Sequence, residues 1–170
     1  MSSGNGVTVI GHDSESRTQV VGYNNVGSYR RVVNYNASIA QLSLLTEISE
    51  KCEQFLKYEC LHSRLRFYAW WVSRDGVSRT YWGGTGSNRG KNVCACGVNV
   101  PNTCADPSEK CNCNLNDGVL RSDEGLLTWK QDLPVIELRF GDTQESSNEM
   151  GYHTLGKLKC SGFQGTFEVI

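Results

Sequence analysis

Apolar residues recur along this chain in short β-branched runs, in one helical stripe, and then, through its middle, not at all. Residues 7–10 (VTVI) predict a short strand. Gly11, His12, Asp13 and Ser14 form a turn cluster, and residues 18–23 (TQVVGY) predict a second strand, paired with the first in a hairpin. Residues 24–28 are loop, and residues 29–35 (YRRVVNY) predict a third strand. Ile39, Leu42, Leu45, Ile48 and Cys52 recur at three- and four-residue steps, the stripe of an amphipathic helix over residues 39–51. Ser38 with Gln41 three positions on is a capping-box pattern at its start. Residues 55–67 predict a half-buried strand with bends, turning Phe55, Cys60, Leu65 and Phe67 inward. Residues 68–72 (YAWWV) predict a central strand. Its adjacent Trp70 and Trp71 point to opposite faces, one to the core and one to a packed loop. The other reading of the pair is an exposed tryptophan serving as a binding platform.

Asp75 and Gly76 signal a hairpin turn, residues 79–82 return as a strand, and Gly83 and Gly84 end it. Residues 86–92 are loop, and residues 94–118 show no periodicity. Leu126, Leu127 and Trp129 are predicted to be buried. Residues 133–140 (LPVIELRF) are the best strand of the last third, with Pro134 disturbing only its start. Residues 142–149 are a polar loop, and the tail 163–170 ends in strand-like residues.

Composition changes the picture mainly through cysteine. The chain has 170 residues, one domain by length, and is 38% hydrophobic with a mean hydropathy of -0.42. No run approaches the roughly 18 apolar residues of a membrane-spanning helix. A formal net charge of -1 argues against nucleic acid and against membrane insertion or a polybasic membrane patch. Eight cysteines, Cys52, Cys60, Cys94, Cys96, Cys104, Cys111, Cys113 and Cys160, favour disulfides and an oxidising, extracellular compartment. Their pairing is left open. Residues 1–6 carry no apolar core of a signal peptide and read as a flexible lead, so the chain is expected to be an excised domain of a secreted or membrane-anchored protein.

The cysteines also carry a resemblance. Cys52-Glu53-Gln54, Tyr58-Glu59-Cys60, Trp70-Trp71-Val72, Tyr81-Trp82-Gly83-Gly84, Cys94-Ala95-Cys96-Gly97, Cys111-Asn112-Cys113-Asn114, Leu133-Pro134-Val135 and Leu158-Lys159-Cys160 follow one another from about residue 8 to about residue 162. In that order they resemble the fibrinogen-like domain of the neurexin-IV and contactin-associated adhesion proteins, a divergent member of the fibrinogen C-terminal group. The resemblance implies an α+β, fibrinogen C-terminal-like fold, with a twisted, mostly antiparallel sheet, one main helix and long disulfide-crosslinked loops. Two features depart from it. A further small cysteine-containing segment at the family's N-terminus is missing, and a longer Pro-containing loop is here the short Arg66-Phe67-Tyr68-Ala69.

Candidate chemistry is sparse. The Cys-x-Cys pairs lack the spacing usual for structural zinc. Asp106, Asn112, Asn114, Asn116 and Asp117 offer hard oxygens to calcium, the one cofactor left open, although asparagines are also turn formers. His12, His62 and His153 sit in no nucleophile or metal motif, and no enzyme signature is present. Asn36-Ala37-Ser38 is an N-glycosylation sequon as well as a helix start. The reading is an extracellular recognition module for adhesion or matrix interaction, binding a protein or glycan through stapled loops. Its candidate ligand-binding residues are Tyr81, Trp82, Arg89, Asn116 and Asp117. The alternatives are a calcium-assisted lectin and a structural terminal domain of a collagen-like matrix chain.

Overall fold

The longest strand has the alternation that the sequence hides. In the computed structural model, which describes residues 6–84 and 90–163, β4 (Lys51–Leu61) buries Cys52, Gln54, Leu56, Tyr58 and Cys60 and turns the residues between them outward. A buried glutamine and two cysteines break the look of an apolar row, which is why the strand is hard to see in the sequence. Gln54 is fully satisfied in its buried position. Its Nε2 donates to the Tyr35 hydroxyl (2.8 Å) and the Gly156 carbonyl (3.0 Å), and its Oε1 accepts from the Val135 N–H (3.0 Å).

Around β4 an antiparallel sheet assembles. One flank pairs with β9 (Arg121–Leu127). The other pairs with β11 (Met150–Leu155) and β12 (Leu158–Ser161). β2 (Thr18–Val20) lies against β11, and β1 (Val7–Ile10) lies against β12. The predicted β1–β2 hairpin is therefore absent, because each strand finds a partner from the chain's last quarter. A second antiparallel sheet runs β3 (Tyr29–Val32), β10 (Glu137–Phe140), β5 (Trp70–Val72), β6 (Ser78–Arg79). A parallel pair joins β7 (Tyr81–Trp82) to β8 (Val93–Cys94). The class is α+β.

The two larger sheets meet through aromatic rings. Phe140 of β10 stacks on Tyr58 of β4 with centroids 4.2 Å apart and planes within 7°. His153 of β11 stacks on the same phenyl ring at 5.9 Å, and Trp82 tilts against it at 5.8 Å. Trp71 is fully buried, its Nε1–H donating to the Tyr81 carbonyl at 2.6 Å. Trp70, on the opposite face, is half-buried and covers the loop at Gly27, where an added Cβ would lie 2.0 Å from the indole.

Helix α1 (Ile39–Ile48) is shorter than predicted. Its capping box is present: Ser38 Oγ accepts from the Gln41 N–H (3.2 Å) and Gln41 Oε1 from the Ser38 N–H (2.9 Å). It stops at Ser49 because the chain must become extended to start β4. Its buried line runs through Leu42 and Thr46, with Leu45 half-buried, and Ile39 and Ile48 are exposed. Polar contacts turn the helix that way: Arg74 donates to Thr46 Oγ1, and Lys130 Nζ donates to the Ser49 carbonyl (2.7 Å). Phe67 and Leu126, expected inside, are exposed, whereas Leu127 is buried. The predicted strand in the tail extends past Phe163 beyond the described residues.

Backbone proximity at Gly83, combined with a left-handed φ, constrains the loops tightly. Gly83 has φ +93°, and a Cβ there would meet the Gly125 backbone at 2.6 Å. Gly76, at φ +79°, faces open space. Gly83→Ala is expected to lower unfolding stability by roughly 2–4 kcal/mol, combining left-handed strain with a clash against an immovable backbone. Gly76→Ala is expected to cost only about 1 kcal/mol. Denaturant midpoints of the two variants, measured side by side, check the ranking.

Candidate functional site

The aperiodic stretch is held by bridges, not by a core of its own. Between β8 and β9 the described residues form only a single helical turn, α2 (Ala95–Val98), and a 3-10 turn (Asn112–Leu115). Three disulfides close this region: Cys96–Cys104, Cys94–Cys111 and Cys60–Cys113, with sequence separations of 8, 17 and 53. The fourth, Cys52–Cys160, ties β4 to β12 across a separation of 108. With all eight sulfurs bridged, no thiolate is left to ligate zinc.

Side-chain amides and one carboxylate complete the scaffold. Asn112 accepts from the Ala105 N–H (2.8 Å) and donates to the Ser122 carbonyl (3.1 Å). Asn102 accepts from the Cys104 N–H (2.8 Å) and donates to the Glu109 carbonyl (2.8 Å). Asn114 accepts from the Arg66 N–H (3.0 Å). Asp123, buried on β9, accepts from the N–H groups of Asn112 (2.9 Å) and Cys113 (2.8 Å) at the start of the 3-10 turn. Burial pushes its pKa up to about 6, against the pull of those two N–H groups. The sequence assigns Asp123 no chemical role, because a lone aspartate in a strand carries no site motif.

The sequence-predicted site does not assemble as a single surface. Tyr81 and Trp82 belong to the core, with only 2% of Trp82 exposed, so neither offers a ligand a platform. The Tyr81 hydroxyl instead donates to buried Asp132 (2.6 Å), which also accepts from Arg79 (2.9 Å). The cause is that β7 pairs inward with β8 instead of ending a surface hairpin. Asn116 and Asp117 are exposed. Asn116 takes a left-handed turn conformation (φ 52°). Asp117 pairs with Arg121 at 2.5 Å, which holds its carboxyl down at about 2. Arg89 lies outside the described residues.

The calcium candidates are engaged elsewhere in the same way. Asp106 accepts from the N–H and hydroxyl of Ser108 (2.8 and 2.7 Å), and Asn112 and Asn114 are bound as above. A cation at Asp117 would have to displace a guanidinium. The asparagines act as loop formers, and their oxygens are spent on the backbone. Asn36 is exposed, as glycosylation requires.

One recess opens among these loops. It holds about 200 Å³ and is walled by Arg66, Lys91 and Lys110, with Asn92, Glu109 and Asn114 between them. No sequence motif marks it, since its cations lie in three separate loops. The histidines make no site. His12 Nε2 bonds the Gly156 carbonyl (2.8 Å), and the His62 ring lies against Gly118. His153 shares a hydrogen bond with the Tyr29 hydroxyl (2.8 Å). Burial, helped by the charge of Arg31, lowers the His153 pKa to about 4.

The chain is similar to segments of known proteins over nearly its whole length. It is 36% identical to Neurexin-4 of Drosophila melanogaster over 95% of its residues, and 35% identical to Contactin-associated protein 1 of Rattus norvegicus and of Homo sapiens over 96%. It spans only 12–13% of the length of these relatives. No protein-family model matches the sequence. No helix among the described residues is long and apolar enough to cross a membrane.

Asp123 and His153 give the protein opposing responses to acid. Asp123 has a folded pKa above its unfolded value of 3.8, so the folded state holds the extra proton and stability falls as pH rises toward about 6. His153 has a folded pKa below its unfolded value of 6.5, so stability falls as pH drops toward about 4. Each effect is on the order of 3 kcal/mol. Thermal midpoints across this window are expected to fall on acidification in Asp123→Asn, where His153 acts alone. They are expected to rise on acidification in His153→Gln.

The bridges are expected to differ in weight. In the loop-closure relation, replacing Cys52 and Cys160 by Ala costs roughly 5 kcal/mol, and replacing Cys96 and Cys104 costs roughly 2.5 kcal/mol. Equilibrium unfolding of the two double variants measures the difference.

Proposed function

We propose that this chain is an extracellular recognition module of the fibrinogen-like, neurexin and contactin-associated type, presenting disulfide-fixed loops to a protein partner in adhesion. The observation that carries this reading is the set of three disulfides gathered on one segment with almost no regular structure. Such a segment adds little to the core beyond its cysteines but offers a shaped surface. Ordering it beforehand lowers the entropic cost of binding. Loops of this kind are where recognition residues concentrate.

Four disulfides fit a domain that folds in an oxidising compartment. The similarity to Neurexin-4 and Contactin-associated protein 1 supports the adhesion setting. The name of the second relative makes a contactin the first partner to test. Burial of Trp82 favours a protein partner over the small-glycan lectin reading, which needed that indole at the surface.

The test is binding of the folded domain to an immobilised contactin ectodomain and to cells that display one. Saturable binding is expected. Replacing Cys96 and Cys104 by Ala, which frees the innermost loop but leaves β4 and its sheet intact, is expected to weaken binding by about tenfold. Equal binding by that variant would show that the stapled loops are not the contact surface. Absence of binding to any displayed ectodomain would remove the adhesion reading.

A further inference from the structure

The recess walled by Arg66, Lys91 and Lys110 is built to hold a negative charge. Its three cations face one carboxylate, Glu109. None of the three has an ion-pair partner among the described residues. Elsewhere on this protein, arginines are paired: Arg17 with Glu59, Arg64 with Asp142, Arg79 with Asp132 and Arg121 with Asp117. Three unpaired cations converging on one hollow leave a positive potential that an anion can satisfy.

The walls are fixed before any ligand arrives. Lys91 lies three residues before Cys94, and Lys110 lies next to Cys111, its partner in a disulfide. The Cys94 N–H also donates to the Lys110 carbonyl (3.0 Å). Asn114 follows Cys113, which is bridged to β4, and accepts from the Arg66 N–H. The Asn114 Nδ2 amide is buried with no hydrogen-bond partner.

The neighbouring residue indicates what carries the charge. Phe67 is 66% exposed, in a left-handed conformation (φ 70°), with the Arg66 guanidinium 4.7 Å from its ring centroid. A non-glycine residue rarely adopts that backbone, and here it holds an aromatic ring out in water against Arg66 of the recess wall. Aromatic face, amide-lined hollow and cations together match a sugar ring bearing an anionic substituent. A peptide of aspartate and glutamate would meet the cations but brings no ring to lie on the exposed phenyl face.

We infer that the recess between Arg66, Lys91 and Lys110, with Phe67 beside it, binds an acidic glycan through a sulfate or carboxylate group. This inference rests on the recognition reading above and names a second kind of ligand for the same loop region.

The probes are a sulfated glycosaminoglycan tetrasaccharide, its desulfated counterpart and a Glu-rich peptide of equal charge. Binding to the intact four-disulfide domain is followed by calorimetry and by amide shifts at residues 66, 91 and 110. Saturable binding of the sulfated form alone assigns a sulfate; equal binding of both sugars assigns the carboxylate. Arg66→Ala and Lys110→Ala are each expected to weaken binding about tenfold, and Phe67→Ser by several-fold. Lys57→Ala, on β4, is expected to leave it unchanged.

No binding of either sugar to the folded domain overturns the inference. So does unchanged affinity in Arg66→Ala/Lys110→Ala, or equal binding of the peptide. Contactin binding that survives this double substitution while sugar binding is lost separates the two readings. Contactin binding with no sugar binding overturns only the present one.

Discussion

The structure depends on the inward row of β4. Cys52, Gln54, Leu56, Tyr58 and Cys60 lie on one face of one strand, and each ties down a different part of the chain. Cys52 bonds β12 and Cys60 bonds the 3-10 turn of the loops. Gln54 reaches the segments before α1 and before β10 through Tyr35 and Val135. Tyr58 stacks on Phe140, the contact through which the second sheet docks. The Tyr58 hydroxyl shares a hydrogen bond with Ser63 Oγ (2.7 Å), so its polar end is satisfied where no water reaches. A strand with covalent, polar and aromatic attachments on a single face leaves little freedom to the elements around it.

That same mixture explains what the sequence shows and what it conceals. The capping box at Ser38 and Gln41, the opposed faces of Trp70 and Trp71 and the strand ending at Phe140 rest on local rules, and they are legible. The sequence divides β4 between a helix end and a bent strand because a period-2 row reads poorly when its members are cysteine, glutamine and tyrosine. The β1–β2 hairpin fails for a different reason. Proximity in sequence favours it, but β12 and β11 offer longer-range partners whose pairing Cys52–Cys160 helps to fix. Tyr81 and Trp82 read as part of a binding face beside the crosslinked loops, with Gly83 and Gly84 ending their strand. Pattern alone cannot show that those glycines let the β7 end approach Gly125 and turn both rings inward.

The loops obey a further rule that composition only hints at. Asparagine is abundant there, and its oxygens look like ligands in a list of residues. Asn102, Asn112 and Asn114 spend theirs on backbone N–H groups that the aperiodic chain would otherwise leave unpaired. Asp123 does the same from β9, at the price of a charge held in a buried place. Backbone satisfaction, rather than ion coordination, accounts for the amides.

The nesting of the bridges shows what they are for. Cys96–Cys104 sits inside Cys94–Cys111, which sits inside Cys60–Cys113. Loop-closure entropy grows with the length of chain enclosed, so the inner bridges, which close only 8 and 17 residues, add less stability than a bridge around a long loop. Cys52–Cys160, which joins paired neighbours on β4 and β12 across the longest stretch of chain, is the bridge suited to stabilising the whole. Three concentric bridges on one polar segment are an inefficient way to stabilise a fold but an effective way to fix the shape of a surface. The positions they fix best are those beside the cysteines. Lys91, Lys110 and Asn114 occupy such positions, and the ammonium groups of the two lysines repel each other. Their convergence on one hollow is held by the covalent frame against that repulsion.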